Sequence, residues 1–168
     1  MNATTTVTFN WPADTLTPFD RYSDYRAGFS SLLGTARRRL VLYEQDFRVT
    51  ELGNRDNCAR LQAFLVQGGM LTLIARDGSY IATNAPGFLR LTDHFGHQMK
   101  LMMLRDDAPV DTQPFTLADE QHYLLRHHSD WPRGEAGSNG QTAAYLLDKT
   151  AFLLESSDVA SQWRRLDL

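Results

Sequence analysis

The chain has 168 residues, enough for one domain with a sizeable core, and its 42% apolar and 22% charged content is that of an ordinary globular protein. A net charge of −3 and an isoelectric point near 5.9 exclude a general electrostatic pull toward nucleic acid or an anionic membrane, though not a local basic patch. The apolar runs are too short for a transmembrane helix, and the first residues, MNATTTVTFNWPAD, lack the basic and apolar regions of a signal peptide; with the single Cys58 excluding an internal disulfide, a cytoplasmic location is expected.

Residues 1–22 are rich in Thr, Pro and Asp, with Trp11-Pro12 and Thr17-Pro18 favouring extended backbone. They read as an N-terminal arm whose aromatics Phe9, Trp11 and Phe19 are free to seal a dimer, and residues 23–168 read as one domain. SDYRAGFSSLLGTARR predicts a helix capped by Ser23 or Asp24, with Tyr25, Phe29, Leu32 and Leu33 on one face. A compact apolar strand follows from Leu40 to Tyr43. Asn54 caps a second helix whose stripe is Cys58, Leu61, Phe64 and Leu65, stopped by Gly68-Gly69; Cys58 thus reads as core packing.

MLTLIARDG is a second strand ending in a turn at Asp77-Gly78, APGFLRLTDHFGHQ a third helix with Pro86 at its start, and MKLMMLRDD a third strand. FTLADEQHYLLRHH predicts a hairpin turning near Asp119-Glu120, SDWPRGEAGSNGQ a loop, and TAAYLLDKTAFLLESSDVASQW a long helix interrupted at Ser156-Ser157. Alternating strands and helices argue for an α/β fold: a mostly parallel sheet flanked by helices, with an antiparallel hairpin added.

Few constellations carry chemistry. His94 and His97 stand three apart, but Gly96 lies between them and no H-E-x-x-H or Cys pair supports a metal, so none is assigned. No Gly-rich phosphate loop occurs, and no cofactor is expected. Arg37 to Arg39 with Arg21 and Arg26 form a small basic cluster that reads as a solvated helix end. In an extended strand His122, Leu124, Arg126 and His128 share one face, which is either an anion receiver near Asp119 or an exposed edge strand protected by polar side chains.

The order of elements from Tyr25 to Trp163 resembles one half of the phospholipase D-like fold. The carrying features are Ala36 to Tyr43 leading into the helix Arg55 to Gln67 and the strand Leu71 to Arg76, then PFTLADEQHYLL where that family places H-x-K-x-x-x-x-D, then GSNG and a final helix. More narrowly, the stretches Leu42 to Phe47 and Phe115 to Asp119, with Phe152 and Trp163 near the end, make the chain similar to an uncharacterised domain found C-terminal to some bacterial acetyltransferase-like domains.

That resemblance implies a His nucleophile and a Lys that binds phosphoryl oxygens, one pair per half, and hence a homodimer; it also implies a possible acetyltransferase-like protein partner. If Asp119 matches the motif's acid, Thr112 stands where the nucleophile belongs and Pro114 where the Lys belongs, and Asn139 is one position early for G-S-x-N. Neither Thr112 nor Pro114 supplies the chemistry. The resemblance therefore implies a non-catalytic binding or assembly module, with Asp119, His122, Arg126 and His128 as anion-binding candidates and no catalytic residue or metal. The alternative is a homodimeric phosphodiesterase or nuclease with a non-standard site, His122 or His128 serving as nucleophile and Arg126 holding phosphate.

Overall fold

The computed structural model describes residues 6–163. The element order is β1 (Thr17–Phe19), α1 (Tyr22–Thr35), β2 (Arg39–Glu44), α2 (Arg55–Val66), β3 (Met70–Ala75), α3 (Ser79–Asn84), α4 (Pro86–Phe95), β4 (Met99–Leu104), β5 (Phe115–Ala118), β6 (His122–Arg126), β7 (Gly134–Gly137), α5 (Gly140–Glu155) and β8 (Ser157–Val159). The eight strands of the described residues form one sheet in the order β1-β7-β6-β5-β2-β3-β4-β8.

Alternation along each strand divides the core in two. Leu40 and Leu42 of β2, Leu71 and Leu73 of β3 and Leu124 of β6 pack beneath α1, α2, α3 and α4, where Phe29, Leu61, Ile81 and Phe88 meet them. Tyr43, Ile74, Phe115, Leu117, Tyr123 and Leu125 face the other way, under Leu146 and Leu153 of α5. α5 starts where Asn139 Oδ1 accepts from Gln141 N and Thr142 N at 2.9 and 3.2 Å, a side-chain N-cap.

The sheet corrects the expectation of mostly parallel pairing. Only β2–β3 and β3–β4 are parallel; β1–β7, β7–β6, β6–β5, β5–β2 and β4–β8 are antiparallel. The physical reasons are three: the β5–β6 hairpin joins β2 antiparallel, the stretch expected to be a loop supplies β7 at Gly134–Gly137 against β6, and the short strands β1 and β8, with no strand periodicity, close the two edges antiparallel. β6 consequently lies between β5 and β7, so it is not the exposed edge that its histidines suggested.

Two local expectations change as well. The cap of α1 is Arg21, not Ser23 or Asp24; Asp24 sits in the first turn and pairs back with Arg21 Nε at 3.0 Å. The arm's aromatics are not free for a dimer: Phe9 and Trp11 pack on the first core, Phe19 is buried, and Trp11 Nε1 donates to Ser31 Oγ at 3.0 Å. Phe9 fits because α1 carries Gly28 beneath it, where a Cβ would come within 3.0 Å of its ring.

Among the described residues no helix is long and apolar enough to cross a membrane.

Candidate functional site

The sheet end where β2 and β6 finish and β5 begins carries two buried ionic groups, one on each face. On the α1 face stands Arg126, the last residue of β6, only 1% exposed. Its Nη2 lies 2.8 Å from Oε2 of Glu44, the last residue of β2 and itself buried. The hydroxyl of Tyr25 donates to Glu44 Oε1, and the Tyr25 ring lies 4.8 Å from the guanidinium carbon. Arg126 Nη1 donates to Ser129 O at 3.2 Å, which ties the loop 127–133 to the buried charge.

Burial pushes the Glu44 carboxyl above its ordinary value, while Arg126 and the Tyr25 hydroxyl pull it back only in part. Burial, reinforced by Glu44, raises the Tyr25 hydroxyl well above the usual tyrosine range, so Tyr25 remains a donor. The pairing spends the guanidinium inside the protein, as a buried charge requires.

On the α5 face Lys149 Nζ lies 2.8 Å from Asp111 Oδ1 and donates to Gln113 O at 2.9 Å. The ammonium stands 5.4 Å from the Phe115 ring centre and 5.9 Å from that of Tyr43, whose hydroxyl donates to Asp111 O at 2.6 Å. Burial lowers the Lys149 pKa, with Asp111 opposing. The segment 112–114 is thus held between the faces, because Arg126 N donates to Pro114 O at 3.0 Å.

Beside this end, the start of α1 and the loop 127–133 enclose two adjoining cavities of about 540 and 420 Å³. Asp20, His127 and Arg133 line both; the second is completed by His128, Pro132 and Trp131, a residue 63% exposed. An open aromatic face beside donors and an acceptor is what a ligand pocket needs.

The four residues singled out from sequence do not converge. Arg126 is buried and engaged with Glu44. His128 lies on the partly exposed loop, its Nδ1 accepting from Asp130 N at 3.1 Å. His122 is at the other end of β6, paired across from Ala118, with Nδ1 2.8 Å from Ser138 Oγ. Asp119 is at that far end too, about 16 Å along the strands from Arg126 at ~3.3 Å per residue.

The Asp119 carboxylate accepts from Arg37 N at 2.9 Å, Arg38 N at 2.7 Å and Arg39 N at 3.0 Å, and its φ of 53° makes the hairpin turn. Partial burial raises its pKa, but these three N–H groups outweigh that and hold it below the usual carboxylate value. Asp119→Ala is therefore expected to cost about 1–2 kcal/mol at neutral pH. A folded-state pKa below the unfolded one gives stability present above about pH 4 and lost as pH falls through the lowered value. Denaturant unfolding should show the gap between wild type and variant closing in acid.

Sequence reasoning did not single out Glu44, Tyr25, Asp111, Lys149 or the cleft residues Asp20, Trp131 and Arg133. Glu44 carried one signal: a charged residue that continues an apolar strand without a break.

A family model described as Domain of unknown function (DUF7931) matches residues 21–165. No curated protein matches by sequence. Among solved structures, NucT from Helicobacter pylori superposes with a TM-score of 0.64 at 13% identity, covering 86% of this chain and 98% of that one. Nuc from Salmonella typhimurium, a phospholipase D family member, gives 0.64 at 9% identity over 86% and 97%. The archaeal chromatin protein TrmBL2, described as showing a novel mode of DNA binding, gives 0.67 at 11% identity over 90% of this chain and 56% of its own. The fold is phospholipase D-like.

Proposed function

This chain belongs to the DUF7931 family, and from that premise we propose that it is a non-catalytic phospholipase D-like module serving binding or assembly. The observation that carries the reading is the buried Arg126–Glu44–Tyr25 group. The only arginine among the four candidates is paired with an internal carboxylate and too deeply buried to meet a phosphoryl group from solvent. Further support comes from the segment 112–114: Thr112 and Pro114 stand where the fold's resemblance calls for His and Lys, and hydrogen bonds from Arg126 N and Lys149 Nζ fix it from both sides.

The binding face is the cleft of Asp20, His127, His128, Trp131 and Arg133, beside the sheet end where Arg126 lies. A homodimer and an acetyltransferase-like partner remain part of the proposal on the strength of the resemblance. The dimer has to use a surface other than the packed arm aromatics Phe9, Trp11 and Phe19.

The test is hydrolysis of bis(p-nitrophenyl) phosphate and of plasmid DNA by purified protein in EDTA, with His128→Ala alongside. The expected rate for both proteins is that of buffer. Metal-independent turnover that disappears in His128→Ala would overturn the reading and put a phosphodiesterase centre on the loop 127–133.

A further inference from the structure

We propose that the groove between α2 and α4 binds a small organic phosphate. The groove encloses about 590 Å³ and shares no lining residue with the cleft beside α1. Each helix contributes one face at the i, i+3, i+4, i+7 spacing. From α2 these are Arg55, Cys58, Ala59 and Gln62; from α4, Gly87, Arg90, Leu91 and His94.

Two glycines shape the groove. A Cβ on Gly53 would lie 2.7 Å from Ala85 Cα and 2.7 Å from Asn84 O, so only glycine lets the loop before α2 rest against the start of α4. A Cβ on Gly87 would stand 3.2 Å from Cys58 Sγ and 3.7 Å from Arg90 Nη2. The missing side chain leaves open the space between the thiol and the guanidinium.

The charge of the lining decides the ligand class. Arg55, Arg90 and His94 face one carboxylate, Asp93, which has an interaction of its own. Arg21, Arg26, Arg39, Arg48, Arg105 and Arg126 each have a carboxylate partner. Among the described residues Arg37, Arg38, Arg55, Arg60, Arg76, Arg90 and Arg133 form no ion pair, and of these Arg55 and Arg90 border the same cavity. Guanidinium groups pair with phosphate through parallel N–H donors, so two arginines on one cavity suit that group. Leu91 and Phe95 supply an apolar wall for the carbon skeleton. The volume suits a small molecule.

The chain's only cysteine, Cys58, lines the groove and reports its occupancy. The experiment titrates phenyl phosphate by calorimetry into the wild-type chain and into Arg55→Gln/Arg90→Gln, and follows alkylation of Cys58 by iodoacetamide at alkaline pH with and without phenyl phosphate. Binding heat, slower alkylation of Cys58, and loss of both effects in the double variant are expected. Both arginines are exposed, so the variant's melting temperature should match wild type, which separates lost binding from lost fold. Absence of binding, binding kept by the double variant, or binding that leaves Cys58 alkylation unchanged would each overturn the proposal.

Discussion

Glu44→Leu is expected to destabilise the protein by about 3–5 kcal/mol, because removing one partner of a buried ion pair strands the other charge. At about 2–4 °C per kcal/mol for a domain of this size, the melting temperature falls by roughly 6–20 °C. The stranded group is Arg126, which keeps Ser129 O as an acceptor but loses Glu44 Oε2 at 2.8 Å. Tyr25 loses its acceptor at the same time.

The decisive comparison is the double variant Glu44→Leu/Arg126→Met, in which neither charge of this pair is left. It should recover most of the loss, since apolar groups of similar volume replace a buried pair at little cost. Thermal melts of the three proteins check this. A double variant as unstable as Glu44→Leu would show that packing, and not the stranded charge, is responsible. Hydrogen exchange adds a second reading: with Arg126 gone, the loop 127–133 loses its anchor at Ser129 and should exchange faster, which bears directly on the cleft it walls.

The sequence made the centre of the fold legible and its margins much less so. β2, β3 and β4 are six-residue strands of mostly apolar side chains, and α2 and α4 carry helical periodicity with recognisable starts at Asn54 and Pro86. The hairpin turns at Asp119-Glu120 as read, because both residues take positive φ there. β1, β8 and α3 were beyond reach: three residues of strand, or six of helix, leave too little pattern against local propensity. The parallel character was overestimated because β1 and β8, together with β7 in a stretch of turn-forming residues, add antiparallel pairings that the pattern does not show.

The site was illegible for a different reason. Arg126 and Glu44 lie 82 residues apart, and nothing local to either shows that the other neutralises it. Read alone, Arg126 among histidines in a strand suggests an exposed anion receiver; only the position of β6 inside the sheet turns it into a core residue. Asp119 is the converse case. Its place in a motif invited a chemical reading, while its carboxylate is occupied by three backbone N–H groups of the chain's own basic stretch.

Lys149→Met should release the segment that joins β4 to β5. Methionine retains the buried stem's volume and loses the ammonium, so the expected cost, about 2–3 kcal/mol, is that of charge-assisted bonds to Asp111 and Gln113 O. Its fixed end, residues 111–113, should then exchange its amides faster, while the Phe115–Leu125 pairing of β5 with β6 persists. Asp111→Asn separates the contributions: Asp111 is partly exposed and the amide keeps an acceptor oxygen, so the loss should be smaller than for Lys149→Met. Equal melting temperatures and unchanged exchange in Lys149→Met would mean that Tyr43 and the β5 ladder alone hold the segment. A faster-exchanging segment with the fold intact would instead show that residues 112–114, where the phospholipase D-like resemblance calls for catalytic groups, are kept in place by a lysine from the opposite side of the sheet.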